Sequence, residues 1–277
     1  MTLNVFFILL FAALLHATWN AIVKAGSDKL LAAVSVTGTS ALIAAATLPF
    51  SPQPALASVP WLIISCVLQV VYTLLVAKTY QIADMSQTYP LMRGTAPLLV
   101  AAVSLFLPGE HLSLLAWAGI GVICLSILLM AMQSRGGSRK GVALALINAC
   151  FIASYTLVDG TGVRLSGSAL GYTLWTFMLN GTCMVACGLY ARRREVPRYM
   201  LRHWRKGLLG GVGTLGSYGL ALWAMTQAPL AVVAALRETS ILFGAVIAVL
   251  ILKERLSLPR IIAACGIACG AILLRVA

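Results

Sequence analysis

Apolar runs long enough to cross a membrane recur from one end of this chain to the other, parted by short polar stretches. Ten spans are predicted, at 3–23, 31–48, 59–80, 84–107, 113–133, 140–160, 168–190, 206–226, 228–251 and 258–275. Each is read as a helix, because a helix satisfies its own backbone polar groups where lipid cannot. The expected fold is an all-α integral membrane protein. The opening run Leu3–Val23 has no basic residue before it and leads straight into further spans, so it is read as a retained first helix. The hairpins around Gln81–Asp84 and Gln227–Pro229 are tight, and fusing two spans at one of them would give nine.

An internal repeat supports ten. Arg93-Gly94-Thr95-Ala96-Pro97-Leu98 resembles Arg237-Glu238-Thr239-Ser240-Ile241-Leu242, and at the same offset of 144 Glu110-His111-Leu112-Ser113-Leu114 matches Glu254-Arg255-Leu256-Ser257-Leu258. Eight of the 22 positions from 93 to 114 are identical to their partners, including polar ones that apolar composition does not explain. The chain divides near Arg135–Lys140 into a first repeat, 1–134, and a second, 138–277, each of five spans. An odd number of spans makes the second repeat enter the membrane from the opposite face. The expectation is two inverted five-helix repeats forming one transport domain, with a site at their interface near the midplane.

Composition agrees: 61% of residues are hydrophobic and 10% charged, against about 25% charged in an ordinary soluble domain. The net charge of +13 is mostly a topological signal. Sixteen of the 20 lysines and arginines lie in or near the loops after spans 1, 3, 5, 7 and 9, whereas Arg164 and Arg275 lie on the other side. The positive-inside rule places the odd-numbered loops in the cytoplasm and both termini outside. The basic cluster at 192–206 is suited to anionic headgroups. As a short loop between spans it does not read as a nucleic-acid site. The seven cysteines form no CxxC unit or Cys/His cluster, so no disulfide, metal site or cofactor is expected.

The remaining two arginines carry the candidate chemistry. Arg93 lies about nine residues into span 4, and Arg237 and Glu238 about nine and ten residues into span 9. At a rise of about 1.5 Å per residue all three fall near the centre of a roughly 30 Å hydrocarbon layer. Charges there are costly and are usually kept for function. A structural ion pair between Glu238 and Arg93 is one reading, and it leaves one positive charge over. That excess suits phosphonate, phosphate or carboxylate, which a guanidinium grips through two hydrogen bonds. Glu238 is then a candidate for a substrate amine or a coupling proton. His16, Trp19 and Asn20 come from span 1, with His16 a second coupling candidate. Gln69 and Tyr72 share a face of span 3, Tyr89 precedes Pro90, Asn148 and Tyr155 align on span 6, and Asn180, Tyr218 and Trp223 complete the set. Helix-to-helix hydrogen bonds and interfacial anchoring are the structural alternatives for these. Pro90 and Pro97 interrupt the hydrogen-bond ladder of span 4. Glu110 and Glu254 are read as structural caps at helix starts, and Asp159 as a residue near a span end. The glycines from Gly207 to Gly219 permit close helix approach and do not form a phosphate loop.

The turns Glu110-His111-Leu112-Ser113 and Glu254-Arg255-Leu256-Ser257, the Trp19-Asn20 opening and the two five-span halves resemble the drug/metabolite transporter superfamily, specifically its EamA family, over about 3–275. The resemblance implies ten helices around a central cavity and movement of metabolites by alternating access. The opening Leu15-His16-Ala17-Thr18-Trp19-Asn20 is similar to a subgroup linked with phosphonate utilisation. The expectation is a secondary transporter, not an enzyme, for a small anionic or zwitterionic solute such as an aminophosphonate or amino acid, in a bacterial inner membrane with periplasmic termini. Its partners would be that solute, lipids, and a proton or counter-substrate. A proton-coupled exporter of organic cations and a carrier of lipid headgroups are the alternatives. No Walker sequence supplies an ATP engine, no catalytic pair is spaced for an enzyme, and no pore-lining ring pattern indicates a channel.

Overall fold

The computed structural model describes residues 1–26, 28–107, 109–132, 138–250 and 257–277. Those residues form α1 (Leu3–Lys24), α2 (Lys29–Thr47), α3 (Val59–Ile82), α4 (Met85–Ser104), α5 (Leu114–Met132), α6 (Arg139–Ser166), α7 (Ala169–Arg192), α8 (Glu195–Arg202), α9 (Trp204–Met225), α10 (Leu230–Arg237), α11 (Ser240–Leu250) and α12 (Leu258–Val276), with two short 3-10 turns between α2 and α3. Local chemistry sets several ends. Asp28 caps α2 through the Leu31 N–H, Ser113 caps α5 through Ala116, Ser138 caps α6 through Gly141, and Ser168 caps α7 through Gly171. Gly167 closes α6 in a left-handed conformation, φ +67°, that a side chain would disfavour.

Among the described residues, nine helices are long and apolar enough to cross a membrane, with α10 and most of α11 counted as one. The chain is thus an all-helical, multi-spanning membrane protein. Phe7, Phe11, Leu42, Ile63, Val67 and Leu125 face outward, which suits lipid and would be costly in water. The exception in polarity is α4, which carries Gln87, Thr88, Arg93 and Thr95 and packs against α5, α6 and α10.

The helix pairs follow a regular scheme. α2 packs on α7, α5 on α12, α1 on α9, and α3 on α6; α4 meets α5 and α6, while α10 and α11 meet α12 and α1. Small residues let some pairs close tightly. At Gly270 of α12 an added Cβ would stand 2.8 Å from the Gly119 carbonyl of α5. In α9, Gly207, Gly210 and Gly211 face Ser35, Val36 and Ser40 of α2, as the glycine run suggests.

Two elements depart from the sequence expectation. The basic stretch after span 7 contains a helix, α8, whose Val196 packs with Leu31, Val34 and Met184. Span 9, expected as one helix over 228–251, divides into α10 and α11. At the division the Glu238 N–H bonds the Ala235 carbonyl and the Thr239 N–H bonds the Leu236 carbonyl, both at 3.0 Å. These are three-residue bonds, so the turn is wound tighter than an α-helix. The Thr239 hydroxyl reinforces it by donating to the Leu236 carbonyl at 2.6 Å. The repeated turn containing Glu254 lies outside the described residues.

Candidate functional site

α4, α6 and the α10–α11 break converge on a small polar cavity. Arg93, Pro97, Tyr155, Thr156, Arg237 and Glu238 line it, with Ala96, Val100, Ile152 and Ala234 completing the wall. It holds about 10 Å³ of space for the centre of a water molecule, roughly one water's worth. A metabolite therefore enters only if the helices part.

The charged centre follows from helix register. Arg93 Nε donates to Glu238 Oε2 at 2.8 Å, joining positions 145 residues apart. The residues are 7% and 4% exposed, so each stands in for the water the other has lost. Among the described residues the Arg93 Nη2 donor has no hydrogen-bond partner. Pro97, one turn on, has no N–H to give the Arg93 carbonyl. The Arg237 guanidinium lies 4.8 Å over the Tyr218 ring, a contact worth up to about 2 kcal/mol when dry. No carboxylate among the described residues forms an ion pair with Arg237.

Behind Tyr218 lies a second polar cluster. Asp159 is fully buried; it accepts from Tyr218 Oη at 2.5 Å, Tyr172 Oη at 3.0 Å and Gln69 Nε2 at 3.2 Å. Gln69 also donates to Ser65, and its carbonyl accepts from Asn180 Nδ2 at 2.6 Å. The expectation that Asp159 lies near a span end is corrected: α6 continues to Ser166, carrying Asp159 about two turns inside. The glycine- and charge-bearing stretch Gly160–Arg164 hides this in the sequence, because it resembles a loop.

The other predicted residues separate by location. Tyr155 lies on the cavity wall, and Tyr72 packs beside it at 5.7 Å between ring centres. Tyr89 sits one turn before Arg93 on α4. His16 and Trp19 meet edge to face at 5.3 Å, and the buried Trp19 Nε1 has no partner among the described residues. Asn20 spends a donor on the His16 carbonyl of its own helix. Asn148 is not brought to the cavity: it donates to Thr79 and the Leu144 carbonyl at 2.9 Å each, tying α6 to α3. Trp223 lies elsewhere too, in an open groove of about 410 Å³, on the same measure as the cavity, with Val163, Arg164, Gly167, Ala169 and Thr226. Glu110 does not cap the helix that follows it. One oxygen accepts from Leu230 N, at the start of α10, at 2.8 Å and the other pairs with Arg164 at 2.5 Å. Arg164 in turn donates to the Met225 and Ala228 carbonyls. Sequence reasoning misses this clasp because its members are 54 and more residues apart.

A solved structure described as "Crystal structure of protein" is similar to the chain, with a TM-score of 0.74 and 18% identity, covering 98% of this chain and 94% of that one. It is one of 28 matching chains, and at such identity the likeness speaks for the fold alone. No curated protein matches. The EamA-like transporter family matches residues 139–276, from the first residue of α6 to the last of α12. Through that half the chain belongs to the EamA-like transporter family of the drug/metabolite transporter superfamily, a family of transporters rather than enzymes.

Proposed function

We propose that the protein is a secondary transporter that moves a small anionic or zwitterionic metabolite through the central cavity by alternating access. The observation that carries this is a pair of guanidinium groups with donor capacity left over: Arg93 has an orphaned Nη2, and Arg237 has no carboxylate partner among the described residues. An anionic group between them satisfies both. An amine on the same molecule would meet Glu238. An aminophosphonate or an amino-acid-like solute has this chemistry.

The proposed architecture is ten spans in two inverted repeats, 1–134 and 138–277. It counts α4 as a span and α10 with α11 as one. Under that assignment, exchanging the repeats turns α1–α9 packing into α6–α3 packing, α4–α6 into α10/α11–α1, and α4–α5 into α10/α11–α12, and returns α2–α7 and α5–α12 to themselves. Such a contact scheme suits two halves rocking about a shared site. We place the termini in the periplasm of a bacterial inner membrane. In support, the turn that pairs Asp28 with Arg192 adjoins the strongly basic α8 region, whereas Arg275 donates to the Met1 carbonyl.

A thermal-shift comparison of purified wild type and Arg237→Gln tests the reading. Phosphonates, phosphate esters and amino acids should stabilise wild type and lose that effect in the variant. Stabilisation only by organic cations, equal in both proteins, would shift the assignment to a cation exporter using Glu238 and Asp159.

A further inference from the structure

We propose that Asp159 is the carboxylate that takes up a proton when the cavity takes up an anionic group, so that the two cross together. This rests on the transporter reading above and assigns its coupling residue.

The argument begins with charge. The buried centre and the cluster behind it hold two guanidinium groups, Arg93 and Arg237, and two carboxylates, Glu238 and Asp159. With both carboxylates ionised they balance. An incoming monoanion adds one negative charge to a site enclosed by protein and lipid, where an uncompensated charge is strongly disfavoured. One proton restores the balance.

Geometry decides which carboxylate receives it. Glu238 is bonded directly to Arg93 at 2.8 Å, and protonating it would leave that guanidinium without its counter-charge. Among the described residues Asp159 is hydrogen-bonded by neutral groups, Tyr218, Tyr172, Gln69 and Ser65. The groups facing it are Cys66 of α3, whose sulfur is 3.9 Å from that of Cys183 on α7, Tyr172 of α7, Tyr218 of α9 and Tyr155 on its own helix. Arg237 of α10 is the cation among them, and it acts across the Tyr218 ring. A hydroxyl both donates and accepts, so Tyr218 can turn to receive the new O–H.

The same ring links the two sites. Arg237 rests on one face of Tyr218, and the Tyr218 hydroxyl touches Asp159. An anion that draws Arg237 off the ring weakens the positive potential that favours ionised Asp159. The proton comes from water on the side to which the cavity opens and forms an O–H bond with one Asp159 oxygen. It returns to water on the other side as the anion leaves. No other covalent bond changes.

Infrared difference spectroscopy of the purified full-length protein reads the proton directly, through the C=O stretch of a protonated carboxyl group. Inorganic phosphate and 2-aminoethylphosphonate serve as probes, and a probe-free pH titration runs beside them. Addition of a binding probe should raise the band in wild type but not in Asp159→Asn. The band should also titrate without a probe in wild type and in Glu238→Gln. A band unchanged in Asp159→Asn, or absent from wild type at every pH, overturns the assignment. If the substrate reading alone is wrong, the band still titrates at Asp159, upholding the proton site, while no probe binds. Should Asp159→Asn fail to fold, Tyr218→Phe removes one hydrogen bond to the ionised form. It should move the titration midpoint up by about one pH unit, and an unmoved midpoint overturns the assignment.

Discussion

Arg93 and Glu238 hold each other at a depth where neither charge has water. Removing one partner of a buried pair typically costs about 3–5 kcal/mol. We predict a loss of that order for Arg93→Ala, and a partial recovery when Glu238→Gln is added, since the second change removes the stranded charge. Thermal or denaturant unfolding in detergent measures this; losses that simply add would show that the pair contributes no coupling. These residues were legible because a charge inside an apolar run stands out. Asp159 was not, because Gly160, Gly162 and Arg164 after it look like a loop, whereas in the fold this stretch is helix, with Gly160 packed against Leu230 of α10 and Gly162 against Tyr172 of α7 and Trp61 of α3. Asn148 was legible as a buried amide, but one sequence has no means of choosing between a cavity and Thr79 as its neighbour.

At the scale of elements, close contact rather than amphipathicity organises the bundle. Gly270 and Gly119 meet where α12 crosses α5, whereas a Cβ at Gly121 would touch nothing within 4 Å. Gly270→Ala should therefore destabilise by about 1–3 kcal/mol, as overpacking does. Gly121→Ala on the same pair of helices should be neutral or slightly stabilising, because alanine restrains the unfolded chain. Equal effects in a side-by-side unfolding measurement would refute the packing argument. The apolar runs make the helices themselves legible. The break between α10 and α11 was not, for it contains neither proline nor glycine and depends on the Thr239 hydroxyl and three-residue bonds. The α8 helix escaped notice because eight residues rich in charge resemble a linker.

For the whole molecule, the proposed orientation makes opposite predictions for its two ends. In an otherwise cysteine-free protein, Arg194→Cys should resist a membrane-impermeant thiol reagent added to intact cells, and Ala55→Cys should react. The reverse pattern would invert the topology. The proposed division rests on the spacing of basic residues, because the membrane imposes a linear order on loops. The clasp of Glu110, Arg164 and the start of α10 was not, since it joins distant loops through geometry alone. The Arg93–Glu238 pair has a consequence for the protein's synthesis. Its two members are 145 residues apart, and ribosomes add about 5–20 residues per second. The arginine of α4 is made roughly 7–30 s before the glutamate that neutralises it. During that interval α4 has no counter-charge from the second half, so its final seating must wait for α10. Assembly of the site is a late event in the life of the nascent chain, and the second half acts as a chaperone for the first.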